Sequence, residues 1–169
     1  MRAMHRLAVS VAFGVSLIAL SPTAFAGKVE VVFVAPDSYA DAGGKGGLRD
    51  VPTKATVLRE IEHHLVALGA RLPAAQELKV EILNLDIAGR REVLGGSGGE
   101  DVRIFDRVAW PSIKLRYALV ENGRTLTSGE ERLTNPGYLD GIARTPSGDP
   151  IFFERAMLNR WFNARFGTR

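Results

Sequence analysis

Asn122-Gly123 sits between residues 113–121 and 124–133, two stretches free of proline and long enough to be strands. Asn-Gly readily takes positive φ at both central positions of a type I′ turn, whose twist matches that of the flanking strands. The two stretches are therefore predicted to form a β-hairpin with a two-residue loop, and any fold of this chain must hold that hairpin in a sheet. Counting outward from the turn pairs Glu121 with Arg124, Leu119 with Leu126, Tyr117 with Ser128, Leu115 with Glu130 and Ile113 with Arg132. On that count Glu130 and Arg132 share the apolar face of Ile113, Leu115, Tyr117 and Leu119, while Lys114 and Glu131 fall on the solvated face.

Upstream, residues 28–34 (KVEVVFV) are apolar on both parities and read as a central strand buried on both faces. From Thr53 the spacing turns helical. Val57, Leu58, Ile61, Leu65, Leu68 and Leu72 share one face until Pro73, with Val51-Pro52 in the first turn and Asp50 as the cap. The next strand, residues 77–88, changes parity between Leu78, Val80, Ile82 and Leu83, Leu85, Ile87, which implies a bulge or a second covered face. In a straight strand Asn84 and Asp86 would stay on the core side. Residues 89–101 read as a loop and 102–109 as a short extended segment. Asp149-Pro150 supplies a cap and first turn for a last helix whose stripe is Ile151, Leu158, Trp161 and Phe162, with Glu154 inside it. The expected fold class is α+β. A β–α–β unit with parallel strands and the hairpin form one mixed sheet of about four strands, packed by the long helix and the C-terminal helix.

Residues 1–26 stand apart. Arg2, His5 and Arg6 precede an apolar run over 7–20, then Pro22 and the small-x-small pattern Ala24-Phe25-Ala26. The run is shorter than the roughly 18–20 apolar residues that span a bilayer, so it reads as a cleaved secretory signal. Residues 27–169 are then a single exported domain, expected in the periplasm with no membrane span after cleavage. Loss of Arg2 and Arg6 lowers the formal charge from +3 to about +1. No basic stripe with interleaved aromatics is left, and no nucleic-acid partner is expected.

The chain has no cysteine, which excludes disulfides, thiolate metal sites and cysteine nucleophiles. The glycine clusters at 43–47 and 95–99 match neither the phosphate-loop pattern nor the G-x-S-x-G nucleophile pattern, and read as surface loops. His63 and His64 are adjacent on a helix, about 100° apart, and cannot share a metal. Asp37, Asp41 and Asp50 lack the spacing of a calcium loop. No metal and no cofactor is expected.

Four charged residues remain on apolar faces by periodicity: Asp86, Glu130, Arg132 and Glu154. Buried carboxylates must pair or lie at a cleft rim. One reading is an ion-pair network that locks helix onto sheet, and this is preferred. The other is acid–base chemistry by Asp86, Glu130 or Glu154, with Arg132 or Arg155 stabilising an anion. For a binding module, the hairpin edge and the loop around Tyr138 are the candidate contact surfaces.

Leu72-Pro73, the run Leu85-Asp86-Ile87-Ala88-Gly89, and Trp110-Pro111 with Ile113, Leu115 and Tyr117 resemble a proteobacterial family of exported proteins, domain of unknown function 3016. The resemblance continues through Ser128-Gly129-Glu130-Glu131, Tyr138-Leu139, Asp149-Pro150, Glu154-Arg155, Leu158 and Trp161-Phe162. Asn84 departs from it where an aspartate is expected, which removes one carboxylate from any site there. The glycine-rich stretch near Gly95 departs from it as well. The resemblance implies a Gram-negative exported protein and carries no activity. The expected role is a soluble periplasmic binding or accessory module, non-enzymatic, whose partner is an envelope protein or small ligand. An acid–base hydrolase of envelope material is the alternative.

Overall fold

A computed structural model describes residues 27–43, 51–95, 100–140 and 148–167. The signal segment, Asp50 and most of both glycine clusters lie outside the described residues. In chain order the elements are β1 (Lys28–Phe33), a 3-10 turn (Pro36–Ser38), α1 (Lys54–Gly69), β2 (Gln76–Asp86), β3 (Arg90–Leu94), β4 (Glu100–Ile104), β5 (Ser112–Glu121), β6 (Arg124–Thr134) and α2 (Phe152–Phe166). Four strands form one sheet in the order β1-β2-β5-β6, while β3 and β4 form a separate hairpin. β1 and β2 are parallel, as a strand–helix–strand crossover requires, and the β2–β5 and β5–β6 pairs are antiparallel. The fold is α+β with a mixed four-stranded sheet.

One face of that sheet carries the core. Val29, Val31 and Phe33 from β1, Leu78, Val80, Ile82 and Leu85 from β2, and Ile113, Leu115, Tyr117 and Leu119 from β5 pack there. Against them lie Val57, Ile61, Leu65 and Leu68 of α1 and Met157, Leu158, Trp161 and Phe162 of α2. Each aliphatic side chain sealed in this layer contributes roughly 1.5–3 kcal/mol of burial. The opposite face is open and charged. Lys28 meets Glu77, Arg116 bridges Glu81 and Glu130, and Lys114 also reaches Glu130, at 2.7–3.1 Å.

Two expectations about strand placement are corrected. β1 is an edge strand, not a central one: its inward residues pack on the core, but Lys28 and Glu30 are exposed and Val32 is 44% exposed. Residues 89–101 are not a loop, because β3 and part of β4 lie within them. The run Arg90-Arg91-Glu92 carries none of the apolar alternation by which a half-buried strand is recognised.

The hairpin turn is as expected: Asn122 and Gly123 have φ of 48° and 79°, and Glu121 pairs with Arg124. Beyond Val120–Thr125 the register shifts, because Leu126 is an extra residue on β6. Leu119 therefore pairs with Thr127, Arg116 with Glu130, Leu115 with Glu131 and Lys114 with Arg132. A one-residue shift moves every later side chain to the other face. Glu130 and Arg132 lie on the outer face, not on the apolar one, and Glu131 is the glutamate that turns toward α2. Its carboxylate pairs with Arg165, Nε to Oε1 at 2.8 Å and Nη2 to Oε2 at 3.0 Å.

β2 carries a bulge of its own at Leu83, between Ile82 and Asn84. It returns Leu85 to the core and sends Asn84 and Asp86 outward. The parity change in the sequence marked this bulge; the straight-strand placement of Asn84 and Asp86 does not hold. The helix starts also differ. Thr53 caps α1, its Oγ1 accepting from the Thr56 N–H at 3.1 Å. Ile151 occupies the cap position of α2, with Asp149 Oδ1 accepting from its N–H at 3.1 Å.

Candidate functional site

The two bulges bring Asp86 and Arg132 to the same place. Across the sheet Asp86 pairs with Ser112, and Ser112 with Thr134; one step along, Asn84 pairs with Lys114, and Lys114 with Arg132. Neighbouring strands lie about 4.8 Å apart, and Arg132 Nη1 donates back to Ser112 Oγ at 3.3 Å. Arg132 thus sits two strands from Asp86, and its guanidinium reaches back to Ser112, the residue paired with Asp86.

These residues line an open cleft of ≈ 520 Å³ with Asp41, Gly89, Arg90, Arg91, Val108, Ala109, Trp110 and Thr134. One wall is the start of β3, Arg90 and Arg91, which Gly89 positions. Gly89 has φ of 78°, donates its N–H to Ala109 O at 2.8 Å, and has Ile104 O only 2.7 Å from where a Cβ would be. Only glycine fits both the conformation and the approach. Asp41 adds a bridge beside Asp86: its N–H donates to Leu85 O, and its carbonyl accepts from the Ile87 N–H.

Charges in the cleft differ in how they are matched. Arg90 pairs with Asp106 and Glu92, Arg91 with Asp101, and Asp41 with Arg103. Among the described residues the Asp86 carboxylate has no hydrogen-bond or ion-pair partner, and Arg132 has no carboxylate partner. Burial, then the neighbouring Asp41, pushes the half-buried Asp86 carboxyl up, against the pull of Arg103. Trp110 is 42% exposed at the rim, an unusual setting for so large an apolar ring.

Glu154 lies elsewhere. It is 1% exposed, and its Oε1 accepts from the Ala88 N–H at 2.7 Å. Burial pushes its carboxyl up to about 7, opposed by that backbone hydrogen bond, then by its own backbone N–H and by Arg103. Arg103, nearly sealed, donates from Nη1 to Ala88 O and Gly89 O and from Nη2 to Asp41 Oδ2. One side of the 88–89 backbone is thus held by Glu154, and the same peptides are clamped by Arg103 to the cleft wall.

The remaining expected residues are dispersed. Glu130 is exposed between Lys114 and Arg116, which hold its carboxyl below the ordinary range. Arg155 ties Asp149 to His64, donating from Nη1 to Nδ1 at 3.1 Å, so His64 donates from Nε2 to Asn159 Oδ1. Tyr138 is buried, its hydroxyl donating to Asp106 O and its ring standing edge-on to Phe153. Asp86 and Arg132 are brought together; Glu130, Glu154, Arg155 and Tyr138 are not. Sequence reasoning missed Trp110 and Arg103 as site residues. An exposed tryptophan ahead of Pro111 leaves no periodic signal, and Arg103 between Val102 and Ile104 reads as the solvated position of a short strand.

The family model described as a protein of unknown function, DUF3016, matches residues 27–164. The chain belongs to that family. No curated protein matches it significantly. Among solved structures, a Xanthomonas campestris protein of the DUF330 family aligns over 87% of each chain, at 11% identity and a TM-score of 0.39. Among the described residues, no helix is long and apolar enough to cross a membrane.

Proposed function

We propose that this domain is a periplasmic, non-enzymatic binding module of the cell envelope, and that the cleft between the outer sheet face and the β3–β4 hairpin holds its ligand. The observation that carries this reading is an unmatched pair. Asp86 and Arg132 lack charged partners among the described residues, yet they line one cleft beside an exposed tryptophan. Two opposite charges left unpaired in one concave site make a recognition surface, since a ligand can supply the missing hydrogen bonds. The export pattern of residues 1–26 supports the location.

The acid–base hydrolase is the weaker reading, because its three carboxylates do not converge. Glu154 is sealed at 1% exposure, Glu130 is matched by two cations, and only Asp86 faces the cleft. Native mass spectrometry of protein isolated from the periplasm tests the proposal. A non-covalent adduct on the wild type, absent from Arg132→Gln, is expected. Wild-type protein that is consistently free of adducts, or an adduct retained by Arg132→Gln, contradicts it.

A further inference from the structure

We propose that the cleft takes a free α-amino acid as its zwitterion, with Asp86 receiving the ammonium, Arg132 the carboxylate, and Trp110 the side chain. This rests on the binding-module reading and names its ligand class. The two charges are held near one another without meeting: no contact within 4.0 Å joins Asp86 to any cation among the described residues, and Arg132 turns instead to the neutral Ser112 hydroxyl. Had the sequence placed them for stability, the guanidinium would close on the carboxylate. An α-amino acid headgroup carries opposite charges one carbon apart, and with hydrogen bonds of about 2.8 Å at each end it fills a gap of one to two strand spacings.

The chemistry selects each end. A planar guanidinium binds a carboxylate through two parallel N–H donors. Asp86, half-buried next to the Asp41 carboxylate, gains from a cation, and a ligand ammonium offsets with its charge the burial and repulsion that now disfavour the carboxylate. A purely anionic ligand leaves Asp86 facing a second negative charge, and a purely cationic one leaves Arg132 unmatched. At the rim, Trp110 and the 76%-exposed Val108 offer an apolar platform that favours an aromatic or branched aliphatic side chain. The other two cleft arginines are already paired with carboxylates, so a second acidic group finds no free cation among the described residues.

Isothermal titration of the mature domain with L-phenylalanine, L-phenylalaninamide and N-acetyl-L-phenylalanine tests this. L-phenylalanine binds, and each blocked analogue binds at least about tenfold more weakly. Asp86→Asn weakens L-phenylalanine but does not weaken N-acetyl-L-phenylalanine, and Arg132→Gln weakens L-phenylalanine but does not weaken the amide. Circular dichroism confirms that both variants fold. Equal binding of free and blocked forms, absence of that crossed pattern, or no binding of L-phenylalanine and L-leucine overturns the proposal. The native adduct separates the two levels. An adduct of other mass that is lost in Arg132→Gln overturns the amino acid and keeps the cleft, whereas no adduct and no titration heat overturn both.

Discussion

The Glu154 carboxylate accepts a hydrogen bond from the Ala88 N–H at 2.7 Å, joining the first turn of α2 to the chain that leaves β2. The carboxylate is buried, and its carboxyl is pushed up to about 7. The folded state therefore binds its proton more tightly than the unfolded chain, where a glutamate titrates near 4.3. Stability contributed by this group is complete below the unfolded value and falls as pH rises through about 7, by about 3–4 kcal/mol at most. In Glu154→Gln the amide oxygen still accepts from Ala88, and the decline between pH 5 and 7 should flatten. Urea melts of both proteins across that range check it, and an unchanged slope contradicts it.

His64 acts in the opposite sense. Burial first, and then Arg155, lower its pKa, so the folded state favours the neutral ring that accepts from Arg155. Its contribution is present above the unfolded value of about 6.5 and is lost as pH falls through the lower folded value. His64→Gln should reduce the loss of stability on acidification below pH 6.5. NMR titration of the ring protons reads the shift directly, and a ring titrating above 6.5 would refute the assignment.

Gly69 ends α1 against β1, where an added Cβ would lie 2.0 Å from Val29 Cγ2. Alanine is the better helix former by about 1 kcal/mol, yet overpacking here outweighs that gain. Gly69→Ala should destabilise the domain by about 1–3 kcal/mol, with much of the loss recovered by Val29→Ala in the same chain. Denaturant melts of the double-mutant cycle test this, and a stabilised Gly69→Ala would contradict it.

Leu126 is the extra residue of the β6 bulge and is 47% exposed. Deleting it joins Thr125 to Thr127 and leaves every later pairing in place, so the domain should fold with its Lys114–Arg132 and Tyr117–Gly129 pairs intact. Cross-strand NOEs report this. A register slipped by one residue would show that Leu126 sets the pairing rather than absorbs a mismatch.

How much of this was legible in the sequence depended on scale. The hairpin, the parallel β–α–β unit and the buried place of Glu154 follow from turn chemistry and periodicity, which are local. The faces of Glu130, Arg132 and Asp86 were lost because each strand gains one residue, and a bulge reverses the parity of everything after it. In β2 the change of apolar parity gave a warning. In β6 the exposed run before Gly129 has no apolar rhythm to break, so the shift left no trace. The cleft depends on β3, whose charged residues conceal a strand, and on Trp110, whose exposure only the tertiary structure decides.

The placement of the ligand is the central claim, and a heteronuclear NMR titration with L-phenylalanine tests it most directly. The Trp110 Nε1–H and Arg132 Nε–H signals, with the amides of Asp86, Gly89 and Ser112, should move and saturate together. The Nε1–H of Trp161, buried in the core without a hydrogen-bond partner, should stay in place. Shifts concentrated around Tyr138 or along the free edge of β6, with Trp110 and Arg132 unmoved, would contradict the account.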